Sequence, residues 1–278
     1  MLLLALDTSN RQASIALCSE DALLGEYSWH IGQNHSVELL EHISRLVAEC
    51  GKIVPDIEVV AVAIGPGSFN GVRVALATAK ALAFALNIPV VGVGTLDVLA
   101  AQQQYWSGLV CALMDAGRSE FYTACYSFGI SAQQSGVLSS SLQRQSEYQV
   151  LSVQEISAFI QEQQRKLSSS ARTNEDGSPV LFCGEIPASL RQFLHTSLPN
   201  QSVFSSPIWA SRHASVLAMV ALQRLQESRE DNSALLEPLY IRRPSITTST
   251  RKQPLLGGTS PATDQNKREE REEGALRH

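Results

Sequence analysis

Three clusters of residues in this chain combine types and spacing that could do chemistry. Asp7-Thr8-Ser9 sets a carboxylate and two hydroxyls at the end of the apolar run Leu2 to Leu6. Groups so placed can hold nucleotide phosphate through Mg²⁺, or they can close an Asx-type turn. Asn10-Arg11-Gln12 follows at once, with no Gly-rich loop and little room for phosphate. The turn is therefore the expectation, and any nucleotide site at Asp7, Thr8 and Ser9 is vestigial. The second cluster is Gly65-Pro66-Gly67-Ser68-Phe69-Asn70-Gly71-Val72-Arg73. Counted from Gly65, a phosphate-binding Walker loop needs glycine where Asn70 stands, followed by Lys and Ser/Thr. Gly65, Gly67 and Gly71 also miss the dinucleotide spacing by one residue. What remains is an anion at a helix N-terminus, a closely approaching chain, or a tight turn that seats its helix on a sheet. The third cluster is Asp115, Arg118 and Glu120, where a carboxylate pair could do acid–base work, though a solvated turn with a local ion pair is commoner. No GxSxG element or other nucleophile motif accompanies it, so no catalytic residue is assigned. Among the six histidines there is no HxxxH or HExxH pair, and His35 and His42 stand seven apart. No metal site and no cofactor are expected.

The elements that must position these clusters follow from periodicity. Leu2 to Asp7, Ala13 to Cys18 and Ala22 to Trp29 read as an antiparallel meander, with turns at Thr8-Ser9-Asn10 and Ser19-Glu20-Asp21. A helix over Ser36 to Glu49 carries Leu39, Leu40, Ile43, Leu46 and Val47 as its stripe, and Gly51 closes it. The Val, Ile and Ala run after Ile57 is a buried strand ending at Gly65. Ser68 then caps an Ala-rich helix that stops at Asn87-Ile88-Pro89. A strand at Val90 to Val93 and a helix from Thr95 complete the order of an RNase H-like lobe.

That Ala-rich helix spreads Ala75, Ala77, Ala79, Ala81, Ala83 and Ala85 around its circumference, with Val72, Leu76 and Leu82 adding bulk. Apolar on more than one face, it is expected to be buried on more than one side, one against the sheet and one against a neighbour. Leu39, Leu40, Ile43, Val72, Ala75, Ala79 and Leu82 are the residues named for an interface with a second chain. Gly65, Pro66, Gly67, Ser68, Phe69, Gly71 and Arg73 are expected to hold the loop beneath that surface.

From about Leu109 a second lobe is expected. Val110 to Met114 and Glu120 to Tyr126 form a strand pair, Ser152 to Gln161 a helix, Val180 to Cys183 a strand, and Ser211 to Leu225 a closing helix placed to pack back on the first lobe. The polar run Gln164 to Ser178 has nothing to bury and reads as a surface insertion. The expected division is 1–106, 107–244, and a polar, disordered tail at 245–278.

The chain has 278 residues, 44% hydrophobic and 18% charged, with a net charge of −5. That supports a sizeable core and argues against gripping nucleic acid by the chain's own surface. The apolar start Met1 to Leu6 is too short for a signal or a spanning helix, so no membrane is expected and the cytoplasm is the expected compartment. Five scattered cysteines without a CxxC pair are expected to be reduced and mostly buried.

Leu6-Asp7-Thr8-Ser9, the Gly65 to Arg73 segment, Ala77-Thr78-Ala79-Lys80-Ala81-Leu82-Ala83, Asp115 to Tyr122 and Pro238-Leu239-Tyr240-Ile241-Arg242 together resemble the TsaB (YeaZ) family. The likeness spans roughly residues 1–243. Asn70 departs from the Thr usual in that family, and Ala116-Gly117-Arg118 from a more basic turn. The resemblance implies an α/β fold of two RNase H-like lobes in the actin-like ATPase (ASKHA) superfamily. It further implies a non-catalytic scaffold or activator of the tRNA threonylcarbamoyl transferase, acting on the anticodon-adjacent adenosine. The partners implied are a TsaD-like subunit, bound through a helical bundle, and a TsaE-like ATPase. The resemblance also implies that two copies can pair when TsaD is missing, while the negative net charge leads to the expectation that tRNA is met only indirectly. TsaD carries a metal-binding histidine pair that this sequence lacks. The alternatives are a stand-alone ATP-dependent or glycoprotease-like enzyme using Asp7 and the Gly65 loop, and a homodimeric binding module.

Overall fold

A computed structural model of the chain describes residues 1–31, 35–132, 138–170, 178–227, 231 and 235–242. The expected tail at 245–278 lies outside the described residues, as does 171–177 of the expected insertion.

The meander is β1 (Leu2–Asp7), β2 (Gln12–Ser19) and β3 (Leu23–His30), followed by α1 (His35–Glu49). Then come β4 (Val59–Gly65), α2 (Phe69–Leu86) and β5 (Val90–Gly94). β4 pairs parallel with both β1 and β5, giving the sheet order β3-β2-β1-β4-β5. Alternate residues of β1 point into different cores. Leu2, Leu4 and Leu6 meet Leu39, Ile43, Ala75 and Ala79 of α1 and α2. Leu3 and Ala5 meet Leu217, Ala218 and Ala221 of α6 (Ala214–Gln226) on the other face. Both faces are covered, which is why β1 and β4 read as unbroken apolar runs instead of alternating ones.

α3 (Thr95–Ala101) leads into a second meander of β6 (Val110–Gly117), β7 (Glu120–Ala132) and β8 (Leu138–Arg144). β9 (Gln149–Ser152) pairs beside β8 on β7, and α4 (Val153–Ser170) follows. β10 (Val180–Gly184) then joins β6 in parallel, and after α5 (Ala188–Ser197) β11 (Ser202–Phe204) joins β10. The order β8-β7-β6-β10-β11 repeats that of the first sheet, third strand to fifth, so the chain holds two units with the strand order of an RNase H-like sheet.

One expectation fails within the second unit. The run from Gln164 does not begin an insertion, because α4 continues through it to Ser170. Ile156, Ile160, Gln163 and Leu167 fall on one helical face; the first three are buried and Leu167 packs partly into the same core as the isoleucines. A glutamine in the stripe hides the periodicity.

A buried polar cluster fixes the two sheets to each other. Asp97 of α3 accepts hydrogen bonds from the hydroxyls of Tyr126 (2.8 Å) and Tyr148 (2.7 Å), and from Arg224 of α6 at 2.9 Å. Burial, then the nearby Asp97 carboxylate, pushes both phenols well up, so they stay protonated and donate.

Candidate functional site

The Gly65 loop is seated on the β1–β2 turn, backbone against backbone. Ser68 N–H donates to the Ser9 carbonyl at 2.7 Å, and the Thr8 hydroxyl donates to the Gly71 carbonyl at 2.6 Å. A Cβ at Gly67 would lie 2.3 Å from Ser9 O, and one at Gly71 2.0 Å from Thr8 O. Only glycine permits that approach. Ser68 caps α2 by accepting from Gly71 N–H (3.3 Å), and Asn87 ends the helix in the left-handed conformation, φ 54°. The N-terminus of α2 thus holds a neighbouring strand end of its own chain.

Asp7 is closed off from solvent. Its Oδ1 accepts from Ser9 N–H (2.8 Å) and Ser9 Oγ (2.6 Å), the Asx turn expected from the sequence. Its Oδ2 accepts from Arg212 Nε at 3.1 Å, with both side chains almost wholly buried. Arg212 Nη1 lies 3.7 Å from Glu185 Oε1, close enough for charge attraction but not for a hydrogen bond. Asn10 also donates to Glu185, at 2.5 Å. Arg212 and Glu185 were invisible to sequence reasoning, since they stand far along the chain with no motif around them.

Above this network opens a cleft of 490 Å³ lined by Ser9, Asn10, Arg11, Gly67, Asp115 and Glu185, among others. Its carboxylates are committed: Asp115 Oδ1 accepts from Gly117 N–H (2.8 Å), and Glu185 is shared between Asn10 and the Arg212 charge. The acid–base use of Asp115 and Glu120 loses its ground for the same reason, because Glu120 is ion-paired to Arg242. Among the described residues, no group of three or more His, Cys, Asp and Glu side chains is arranged to hold a metal ion. His42 instead packs on Trp29, and His213 lies 3.6 Å from Glu26.

The segment around Tyr240 straps the loop from outside. Leu239 N–H donates to Ile64 O (2.7 Å), Arg73 Nε donates to the Tyr240 hydroxyl (2.8 Å), and Phe69 lies 5.6 Å from the Tyr240 ring. The Arg73 guanidinium sits 3.8 Å over the Phe69 ring. Arg242 then reaches the β6–β7 turn, donating to Ala116 O at 3.4 Å.

The interface residues divide. Leu39, Ile43, Ala75 and Ala79 are buried in the chain's own first core, Val72 is buried as well, and none of them lines an outer surface of the chain. The side of α2 that covers the sheet is the stripe Gly71, Val72, Ala75, Leu76, Ala79 and Ala83, which takes up most of its bulky positions. Leu82 is half-buried, and Leu40 remains 51% exposed. The opposite side of α2 presents Ala77, Ala81, Ala85 and Phe84, and Phe84 is 90% exposed. Sequence reasoning passed over Phe84, although it stands three residues after Ala81, on the side the sheet does not reach. By length and composition α2 would also cross a membrane, with mean hydropathy 1.3, while here its buried stripe lies on the first sheet.

Comparison with known proteins adds the following. A family described as TsaD, tRNA N6-adenosine threonylcarbamoyltransferase, matches residues 30–250. The Bacillus subtilis tRNA threonylcarbamoyladenosine biosynthesis protein TsaB is 39% identical over 128 residues, covering 46% of this chain and 56% of the relative. The Escherichia coli TsaB is 31% identical over 128 residues, covering 45% and 55%. The chain thus spans about half the length of the curated relatives it matches. YeaZ from Pseudomonas aeruginosa superposes with a TM-score of 0.62 at 25% identity, over 86% of this chain and 99% of that one.

Proposed function

The chain belongs to the tRNA N6-adenosine threonylcarbamoyltransferase family, in its TsaB (YeaZ) branch, and from that premise we propose that it is a scaffold or activator subunit of the tRNA threonylcarbamoyladenosine machinery rather than its catalyst. The observation that carries this reading is the outer face of α2: an alanine surface ending in Phe84, which the described residues leave exposed, as they do Leu40 on α1. Smooth small side chains let another helix approach closely, and an exposed aromatic at the edge supplies an anchor. The partner is a TsaD-like subunit in the cytoplasm, a TsaE-like ATPase joins the assembly, and a second copy of this chain takes the same face when the partner is missing. The Asp7–Arg212 pair supports the non-catalytic role, because the carboxylate that a phosphotransferase of this fold would turn toward Mg²⁺ is spent inside the chain.

Leu40→Glu/Phe84→Glu is expected to weaken the complex with the TsaD-like subunit at least about thirtyfold, the loss of a hot-spot aromatic. The melting temperature of the free chain should barely move, since exposed substitutions stay within about 0.5 kcal/mol. Size-exclusion chromatography with light scattering on the mixed proteins reads both partners, and an unchanged heterodimer peak would remove this face from the assembly. An ATP titration of the free chain separates the stand-alone enzyme: measurable turnover there would displace the scaffold reading.

A further inference from the structure

The strap and the loop build a surface whose chemistry the subunit role does not use. Phe69 and Tyr240 are 41% and 40% exposed and lie tilted at 31° with their rings 5.6 Å apart, with the exposed guanidinium of Arg73 laid over Phe69 at 3.8 Å. Arg11 lines the adjoining cleft with Gly67 and Ser68, beside Asp115, and Arg118 stands exposed at the tip of the β6–β7 turn that Arg242 holds from the strap side. Among the described residues Arg11, Arg73 and Arg118 take part in no ion pair, while of the cleft's acidic groups Glu185 lies 3.7 Å from Arg212 and Asp115 accepts from the Gly117 N–H. On a chain of net charge −5, three arginines outside ion pairs, one on the rings, one in the adjoining cleft and one on the turn that the strap holds, run against the background.

We propose that this platform contacts single-stranded nucleotides of the tRNA substrate. Unpaired bases stack on exposed aromatic rings and on guanidinium planes, and the flanking phosphates pair with arginines. Phe69, Tyr240 and Arg73 form the stacking surface; Arg11 in the cleft and Arg118 at the tip of the β6–β7 turn take the phosphates. An acidic protein segment would use the arginines but leave the rings idle. The inference rests on the reading that the chain works on tRNA. It departs from the expectation of purely indirect contact, which came from net charge alone and ignores how charge is distributed.

The test is fluorescence anisotropy with a labelled tRNA anticodon stem-loop, titrated with the full chain and with its complex with the TsaD-like subunit across a salt series. Arg11→Gln/Arg118→Gln should weaken binding about tenfold at low salt and lower the slope of log K against log salt by about 1.4, the release expected from two single-strand phosphates. Tyr240→Leu should weaken binding about tenfold with little change in slope, as loss of one stacked base does. Arg165→Gln, which removes one positive charge from α4 where it pairs with Glu162, should change nothing. Absence of RNA binding by the wild-type chain in either state overturns the proposal, as does equal binding by platform and control variants. Loss of the protein complex by the double arginine variant, with RNA affinity of the free chain intact, also overturns it and assigns the platform to a protein. If the wild-type chain forms no complex yet binds RNA through the platform, the subunit role fails and this inference stands.

Discussion

Arg212→Met is expected to destabilise the chain by about 3–5 kcal/mol, the cost of leaving one member of a buried ion pair without its partner. Asp7 is 1% exposed and Arg212 3% exposed, so the stranded Asp7 carboxylate has no water to turn to. For a domain of this size that corresponds to a fall in melting temperature on the order of 10 °C. The double variant Asp7→Asn/Arg212→Met should recover much of the loss. Asparagine removes the stranded charge yet keeps the Oδ1 that accepts from Ser9 N–H and Ser9 Oγ. Urea denaturation of the singles and the double gives the coupling directly. Additive losses, or a single-variant cost under about 1 kcal/mol, would mean that water or Glu185 compensates and that the pair does not hold the turn in place.

Gly71→Ala should cost about 3 kcal/mol, at the upper end of ordinary overpacking, because the obstacle is backbone and cannot rotate away. The new methyl would stand 2.0 Å from Thr8 O and 3.1 Å from its carbonyl carbon. Pushing α2 outward to relieve it stretches the Thr8–Gly71 and Ser68–Ser9 hydrogen bonds, so one methyl disturbs several contacts at once. Asn70→Ala, on an exposed neighbour, is the control and should stay within about 0.5 kcal/mol. Gly71→Ala should also fail to form the heterodimer, since α2 carries the face assigned to it. A Gly71→Ala chain with wild-type urea midpoint and normal assembly would show that the loop is slack and that its glycines serve another purpose.

Much of the first unit was legible because its signals are local. Unbroken apolar runs in β1 and β4, the Ser68 cap and the stop at Asn87 each need only neighbouring residues to be read. The glycine loop was read as permitting a close approach, and the approaching group proved to be the Thr8–Ser9 backbone of the same chain. The second unit was harder. β8 is LSSSLQR and β11 only three residues, so neither offers the alternation a strand normally shows, and both are strands because β7 and β10 present open edges to them. Gln163 broke the stripe of α4 in the sequence but not in the fold.

By itself the sequence determined the α/β class, the strand–loop–helix at Gly65, the Asx turn at Asp7 and the family resemblance, all of which rest on residue types at short fixed spacing. Tertiary structure decided which apolar residues are surface. Composition marks α2 as apolar all round, but only the placement of the sheet decides that Val72, Ala75 and Ala79 are core while Phe84 faces outward. It also decided the fate of every charge that matters here. Arg212 to Asp7, Arg224 to Asp97, and Arg242 to Glu120 join residues more than a hundred positions apart, and a pairing across that distance is set by how the two sheets meet, which no spacing along the chain encodes.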